Sequence, residues 1–343
     1  MKRPGALVIS LDFELHWGVR DRPLERYRPN LLGARQAVPR MLELFEKYEI
    51  AATWAVVGFL FASSRHELES YCPKVRPKYR NEQLSPYGQE VGGDEQNDPL
   101  HFAPSLIRLI QQTPRQEIGT HTFSHYYCAE EGQTREAFSA DLACARAIAE
   151  QWGVRPRSIV FPRNQHNPDY DAVLIEHGIR TYRGNPKNWM WGDGQLSTPP
   201  KRVGRLIDAY INVGGHATTP WEQVMQTSGL SNVPASCPLR PCRNMNGFME
   251  KLRLVRLCQR VRFAAQRGEI FHLWWHPHTI GVHLDENLAF LECVLKEFQR
   301  CRDEYGMDSL SMLEVDEIVR NKPSLGGEPL RDQAPALQRA IAQ

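Results

Sequence analysis

The sequence predicts an α/β fold built on a parallel sheet, either open or closed into a barrel. Short apolar segments typical of buried strands alternate with longer segments in which apolar residues recur at helical spacing. Glycines follow several of the helical segments, as expected at helix ends. Repeated strand–helix units place their strands parallel and side by side. The 343 residues suffice for one large α/β domain with insertions.

The strand predictions rest on short apolar runs that end in polar residues. The first run starts at Leu7 and is broken by Asp12, and the last-but-one run, which ends at Trp275, is the most apolar. The predicted strands are residues 7–13, 51–58, 116–122, 158–161, 179–182, 269–275 and 309–315.

The helix predictions rest on apolar residues that recur three and four positions apart. Val38, Met41 and Phe45 share one face of such a segment. Thr134 is a suitable N-cap for another, and Gly153 follows its end. The predicted helices are residues 34–48, 134–152, 168–177 and 285–305.

The chain is expected to form one domain over residues 6–320. Two polar segments interrupt the strand–helix alternation, at about 63–104 and about 189–247, and both are rich in Pro and Gly. Insertions of this length in a compact domain are typical of lids and binding loops. Residues 321–343 are expected to form a flexible tail.

The composition argues against several classes of protein. A net charge of +2 predicts no nucleic-acid partner and no attraction to an anionic membrane. No apolar run approaches the roughly 18 residues of a transmembrane segment, and the run before Asp12 is too short for a signal peptide. We therefore expect a cytoplasmic protein whose 8 cysteines are reduced thiols. Cys237 and Cys242 are interpreted as loop thiols.

The first strand ends in ionisable residues, in the stretch SLDFELHWG. Asp12, Glu14 and His16 stand at alternate positions, so a strand would point them to the same side. Two carboxylates at alternate positions on one face of a strand repel each other and are costly to bury. Either a cation compensates them, or the strand reaches the surface at Asp12 and both acids face water.

Two further strands end in histidines. His121 and His125, in EIGTHTFSHYYC, are four residues apart, which would place both imidazoles on one side of a helical turn. In FHLWWHPHTIG, His272, Trp274 and His276 alternate on one face, followed by His278 after a proline. Each group could bind a metal, and each could instead be hydrogen-bonded in the core.

Arg163, in VFPRNQ, lies just past another predicted strand. It could be a surface charge, or it could hold a catalytic carboxylate by a bidentate ion pair. The active site of a barrel gathers at the carboxyl ends of its strands. Two histidines and one carboxylate around a metal leave a coordination position open for water, as in hydrolytic zinc sites.

Together, these motifs resemble those of the NodB-type polysaccharide deacetylases, carbohydrate esterase family 4. The SLDFE stretch is similar to a branch of the family in which the two acids of the first motif are one residue apart. His121 to His125 matches the second motif, His-Ser/Thr-x-x-His, and Leu273 to His276 resembles the last, Leu-x-x-His. The third motif, Arg-x-Pro-Tyr/Phe-Gly, is poorly matched, because Arg163 is displaced and the glycine is missing.

The resemblance implies a distorted (β/α) barrel of about seven parallel strands and a hydrolase that removes an N-acetyl group from an acetamido sugar. One divalent metal ion, Zn²⁺ foremost with Co²⁺ or Ni²⁺ as alternatives, would be bound by Glu14, His121 and His125. Asp12 would be the general base and His276 the general acid.

The resemblance also suggests which residues assist the reaction. Arg163 would hold the base, and a backbone N–H near Asn164 or Gln165 would bind the oxyanion. Trp17 and Trp275 could stack on sugar rings. His278 would contact the substrate or orient a metal ligand, and it could equally be a structural histidine.

The substrate would be an acetylated sugar that is nucleotide-linked, lipid-linked or part of an oligosaccharide. Two other functions fit the same residues. One is a hydrolase of a non-sugar amide, and the other is an inactive relative that binds carbohydrate. Cys128 beside His125 leaves a cysteine hydrolase as a remote alternative.

Overall fold

The computed structural model describes residues 3–191 and 198–321. In these residues, nine strands form one sheet in which all strand pairs are parallel. The strands are β1 Ala6–Phe13, β2 Ala52–Val56, β3 Gln116–Thr120, β4 Ser158–Ile159, β5 Thr181–Tyr182, β6 Ser231–Asn232, β7 Cys237–Pro238, β8 Ile270–Trp275 and β9 Asp308–Leu310.

The sheet closes on itself. Strands β1 to β5 lie side by side in chain order, and β8 pairs with the other edge of β1. The segment from Ser231 to Pro238 bridges the two ends, because β6 pairs with β5 and β7 pairs with β8. With β6 and β7 taken as one irregular strand, seven strands surround the axis, and the short β9 pairs with the amino-terminal part of β1. The predicted distorted barrel of about seven parallel strands is confirmed.

The helices pack around the outside of this barrel or close one of its ends. Among the described residues they are α1 Leu24–Lys47, α2 Arg65–Tyr71, α3 Pro104–Gln112, α4 Arg135–Glu150, α5 Asp171–Glu176, α6 Pro199–Asp208, α7 Phe248–Arg267, α8 Leu284–Tyr305 and α9 Met312–Arg320. None of them is long and apolar enough to cross a bilayer. The predicted flexible tail lies outside the described residues, apart from Asn321.

Strand β1 shows how the barrel separates its core from its site. Leu7 and Ile9 point outward into the main core, where they meet α1 and α8. Ala6 and Val8 point inward, into an apolar cluster that fills the amino-terminal end of the barrel. Asp12 is the inward residue at the opposite end. The barrel interior therefore changes from apolar to ionisable along one strand.

The structure corrects the predicted elements at several positions. Helix α1 begins at Leu24, ten residues before the predicted start, and contains two prolines. The predicted strand 309–315 is β9 followed by α9, whose capping box joins Ser311 and Glu314. Segment 189–247 is not simply an insertion, because it holds α6 and the strand pair that closes the barrel. Helix α7 was not predicted.

Candidate active site

Four ionisable side chains meet at the carboxyl end of the barrel. Asp12 is on β1 and Glu14 directly follows it, His121 follows β3, and His276 follows β8. Strand β8 is next to β1, and β3 is separated from β1 by β2 alone. Parallel strands bring their carboxyl ends to one rim, which is why residues from distant parts of the sequence converge here.

Glu14, His121 and His125 form a buried cluster with the geometry of a metal site. Their ligand atoms all lie within 4.8 Å of one another. Glu14 Oε2 is 3.2 Å from His121 Nε2 and 3.0 Å from His125 Nε2. Two ligands bound at about 2.0–2.1 Å to a tetrahedral ion lie about 3.3 Å apart. The three side chains therefore fit one small divalent cation with little movement.

The backbone fixes the tautomer of His121. Its Nδ1 donates to the carbonyl oxygen of Val160, just past β4, at 2.7 Å. The Nε2 lone pair is therefore available on the side of Glu14. A backbone carbonyl behind a metal-binding histidine is a common arrangement, because it sets both the ring orientation and the donor atom.

His125 has a different neighbour, the buried guanidinium of Arg20. Arg20 Nη1 donates to His125 Nδ1 at 3.0 Å, so in this arrangement the ring proton is on Nε2 and is donated to Glu14. A metal at Nε2 would replace that proton. Burial lowers the pKa of His125 to about 3, so the ring is uncharged at neutral pH, as metal binding requires.

The loop that carries the two histidines is not the helical turn that their spacing predicts. Thr122 and His125 have positive φ angles of 65° and 56°, which break any helical path. Asp141 on α4 holds the loop, accepting from the backbone N–H groups of Phe123 at 2.7 Å and Ser124 at 3.1 Å. Residues held in left-handed conformations by surrounding contacts cluster at functional sites.

Position 18 requires a glycine, because the carboxyl group of Glu14 occupies the space where a side chain would be. A Cβ atom on Gly18 would lie 1.9 Å from the carboxyl carbon of Glu14. The 3₁₀ turn Leu15–Gly18 thus packs its backbone directly against the candidate metal ligand. This turn also ends the strand alternation, so His16 points away from the site and hydrogen-bonds His101 at 2.7 Å.

Asp12 forms a buried bidentate ion pair with Arg183, which follows β5. Nη1 and Nη2 of Arg183 donate to the two carboxylate oxygens at 2.6 and 2.8 Å. Burial raises the pKa of Asp12, but the charges of Arg183 and the nearby His276 outweigh it, so that pKa lies below its ordinary value. Asp12 is therefore ionised at neutral pH, as a general base must be.

The predicted contact between Arg163 and Asp12 is wrong. Arg163 is half-exposed and pairs with Asp21 at 2.7 Å and Glu130 at 3.1 Å. Its backbone has a φ of 55°, which turns the side chain to the outer rim of the site. Sequence reasoning missed Arg183, because no motif near it marks a partner 171 residues away.

Inside the barrel, Arg183 is also held by a chain of hydrogen bonds that runs through Ser10 and His272. Its Nη1 also donates to Ser10 Oγ at 3.0 Å, and Ser10 in turn contacts His272 Nε2 at 2.8 Å. Nδ1 of His272 donates to the carbonyl oxygen of Val233 at 2.9 Å. Burial lowers the pKa of His272 to about 3. His272 is therefore an uncharged structural histidine that helps to order Arg183 and, through it, Asp12.

His276 faces both carboxylates of the site. Its Nε2 is 3.6 Å from Asp12 Oδ2 and 3.4 Å from Glu14 Oε1. At 29% side-chain exposure it is the most accessible of the four rim residues, so it can reach a bound molecule. His278 is buried beside it, with ring centroids 5.2 Å apart, and burial together with the charge of His276 lowers its pKa to about 4. His278 thus lies beneath His276 rather than in the opening.

Neither predicted stacking tryptophan is exposed. Trp17 is buried and donates to the carbonyl oxygen of His101, and Trp275 is buried on the outer face of β8, near the sulfur of Met41. Trp274 instead lies at the site, with its ring against His276 and against the guanidinium of Arg183 at 4.3 Å. The alternation along β8 already placed Trp274, not Trp275, on the inward face.

The backbone N–H groups that were predicted to bind the oxyanion already donate to backbone carbonyl oxygens. The backbone N–H of Asn164 donates to Phe161 at 2.8 Å, and that of Gln165 donates to Pro162 at 3.1 Å. The Asn164 side chain does join the site, because its Oδ1 accepts from Arg183 at 2.8 Å. The Gln165 side chain is directed to the loop at Ala129. A cavity beside Asn164 is lined by this residue, by Asn185, Asn188 and Asn232, and by the two sequence neighbours of Arg183.

Comparison with known proteins agrees with this geometry. Residues 29–182 match the family described as polysaccharide deacetylase, a stretch that includes His121 and His125 and ends one residue before Arg183. The fold is similar to that of a putative polysaccharide deacetylase from Mycobacterium smegmatis, 14% identical, with a TM-score of 0.58 over 95% of this chain and 98% of that one.

Two other solved structures are similar at lower scores. A probable polysaccharide deacetylase from Pseudomonas aeruginosa PAO1 is 13% identical, with a TM-score of 0.51 over 93% of this chain and 91% of that one. PuuE allantoinase is also 13% identical, with a TM-score of 0.50 over 91% of this chain and 88% of that one. No curated protein matches the sequence. The resemblance to the NodB-type polysaccharide deacetylases of carbohydrate esterase family 4 is thus confirmed, by a family match over residues 29–182 and by the fold of the chain.

Proposed function

We propose that this protein is a metal-dependent hydrolase that removes the N-acetyl group of an acetamido sugar. The observation that carries the proposal is the convergence at one rim of three elements. They are an arginine-held carboxylate (Asp12), a buried Glu-His-His cluster and an accessible histidine within 3.6 Å of both carboxylates. A general base, a metal site and a general acid are the groups that amide hydrolysis needs.

The candidate metal ligands are Glu14, His121 and His125, and their donor set of two imidazoles and one carboxylate favours Zn²⁺, with Co²⁺ or Ni²⁺ as alternatives. A divalent cation bound there supplies Lewis-acid polarisation of the acetyl carbonyl and lowers the pKa of water. The carboxylate of Glu14 is kept ionised by the neighbouring histidines, which outweigh the effect of burial and hold its pKa well below the ordinary value.

Asp12 accepts a proton from the water that attacks the acetyl carbon. Arg183 fixes the orientation of the carboxylate through two hydrogen bonds, so little reorganisation is needed. As the C–N bond breaks, His276 Nε2 donates a proton to the leaving amine, and the products are acetate and the free amino sugar. His276 Nε2 lies 3.6 Å from Asp12 Oδ2 and 3.4 Å from Glu14 Oε1, so it reaches the space between the two carboxylates where the leaving amine would be.

The substrate class can be tested with acetate release. Purified protein is loaded with Zn²⁺, Co²⁺ or Ni²⁺ and offered an acetylated nucleotide sugar, an acetylated hexosamine oligomer and allantoin as the non-sugar amide. We expect release from a sugar, loss of release after chelation, and recovery on adding metal back. Cleavage of allantoin alone would replace the sugar proposal with the non-sugar hydrolase. Binding of a sugar without turnover in any metal form would favour the inactive relative.

A further inference from the structure

Helix α7 is unusual because the face that it buries carries arginines. Arg253, Arg256 and Arg260 lie on its inward face and are 7%, 3% and 4% exposed. Val255, on its outward face, is 54% exposed. Arginine is rarely buried without a partner, since its charge is costly to remove from water. The burial of three on one face requires compensating negative charge.

These arginines line a cavity between α6, α7 and the segment that follows β7. The cavity has a volume of about 50 Å³ and is also lined by Arg240, and we call it the arginine cavity. None of the residues that line it belongs to the candidate active site. It therefore lies outside the barrel mouth and is not explained by the hydrolytic reaction.

The carboxylates of the described residues do not balance the arginines. Asp208 pairs with Arg256 and Arg260, and Glu250 pairs with Arg253. Arg240 donates to a backbone carbonyl. Among the described residues, Arg240, Arg253, Arg256 and Arg260 thus meet two carboxylates, which leaves a surplus of about two positive charges on these four side chains.

Several N–H groups in the cavity also lack acceptors. Within the described residues, the buried Nε atoms of Arg253, Arg256 and Arg260 have no hydrogen-bond partner. Burial, followed by the charge of Arg260, lowers the pKa of Arg256, and burial with Arg253 does the same for Arg240. The arginines repel one another in the arrangement that the structure shows.

We propose that the arginine cavity binds a phosphoryl group. A phosphate dianion carries the two negative charges that the cavity lacks, and its oxygens accept the N–H donors that are unpartnered. Guanidinium groups from separate elements match phosphate better than a single carboxylate, because several planar forks can each reach a different oxygen.

Two sources could supply this group, a free phosphate or a phospholipid headgroup. Vesicles test the second source separately, because α6, which borders the cavity, also exposes Val203, Leu206 and Ile207. The two sources share the same contacts with Arg240 and Arg256, so one set of variants tests both.

Binding of inorganic phosphate is measured by titration calorimetry on the full chain after chelation, so that no metal in the active site contributes. In parallel, sedimentation is measured with phosphatidylcholine vesicles that contain or lack phosphatidic acid. We expect saturable binding in at least one arm, weakened about 10- to 100-fold in R256Q. R262Q, on the exposed side of the same helix, should bind within about twofold of the unaltered protein.

R240Q provides a second variant that should fold if R256Q does not, because Arg240 is only partly buried. It should weaken binding in the same arm by about tenfold. Phosphate binding alone assigns the free source, and binding only to vesicles with phosphatidic acid assigns the lipid source. Absence of binding in both arms would overturn the proposal, as would affinities that R240Q and R256Q leave unchanged.

Discussion

Replacing Arg183 by glutamine should move the acidic limb of the pH–rate profile to higher pH. Asp12 is active as a carboxylate, and Arg183 is the largest influence that holds its pKa below the ordinary value against burial. The carboxylate therefore loses its proton-accepting form only at low pH in the unaltered protein. Without the arginine, the same loss should occur at higher pH, because burial still favours the protonated acid.

The size of the expected shift in the Asp12 titration follows from the geometry of the ion pair between Arg183 and Asp12. Both hydrogen bonds are short, at 2.6 and 2.8 Å, and the side chains are 0% and 5% exposed, so solvent screens the pair little. An opposite charge at this distance typically shifts a carboxyl titration by about 1–3 pH units, or about 1.4–4 kcal/mol. The midpoint of the acidic limb of kcat/KM should rise by that amount.

The assay measures acetate release between pH 4 and 9 on the best sugar substrate. R163Q is the matched control, because Arg163 was the sequence-based candidate but pairs with Asp21 and Glu130. Its acidic limb should stay in place. Because breaking a buried ion pair costs about 3–5 kcal/mol of stability, thermal melts must show that R183Q is folded at the assay temperature.

A carbon-13 titration of the aspartate carboxyls gives the same test without turnover. The Asp12 signal, assigned with D12N, should titrate at higher pH in R183Q than in the unaltered protein. An unmoved signal and an unmoved acidic limb in a folded R183Q would refute the assignment of Arg183 as the residue that holds the base. A shift in R163Q instead would return that role to Arg163.

Three other changes probe the site. D12N should retain bound metal while turnover falls about 10²- to 10⁴-fold, and unimpaired turnover would remove Asp12 from the role of base. G18A should lower metal affinity at least tenfold, measured by competition with a chelator, because the added Cβ occupies the place of the Glu14 carboxyl; G88A is its control, since a Cβ there meets nothing within 4 Å. D141N should lower metal affinity about 10- to 100-fold by freeing the histidine loop, and a loop unchanged in hydrogen exchange would contradict that.

Short-range patterns predicted the parts of the site that a single strand determines. The alternation along β1 placed Asp12 and Glu14 on one side, and the structure has both at the rim of the barrel. The same alternation failed at His16, because the positive φ of Leu15, 45°, starts a 3₁₀ turn. Where the backbone stops being extended, the period of two no longer says where a side chain points.

Long-range contacts could not be predicted in this way. Arg183 meets Asp12 only because β5 and β1 belong to one closed barrel, and neither residue's neighbours in sequence reveal the other. Helix α7 was missed for a related reason. Its inward positions hold Arg253, Arg256 and Arg260, so it lacks the apolar stripe by which surface helices are identified.

The central claim is that Glu14, His121 and His125 hold one metal ion, and native mass spectrometry with elemental analysis tests it most directly. Purified protein is offered Zn²⁺, Co²⁺ and Ni²⁺, next to H121A and a control variant, H66A, whose histidine lies on α2 outside the cluster. We predict about one ion per chain in the unaltered protein and in H66A, and loss of that ion in H121A. No bound metal under any loading, or full occupancy in H121A, would contradict the account.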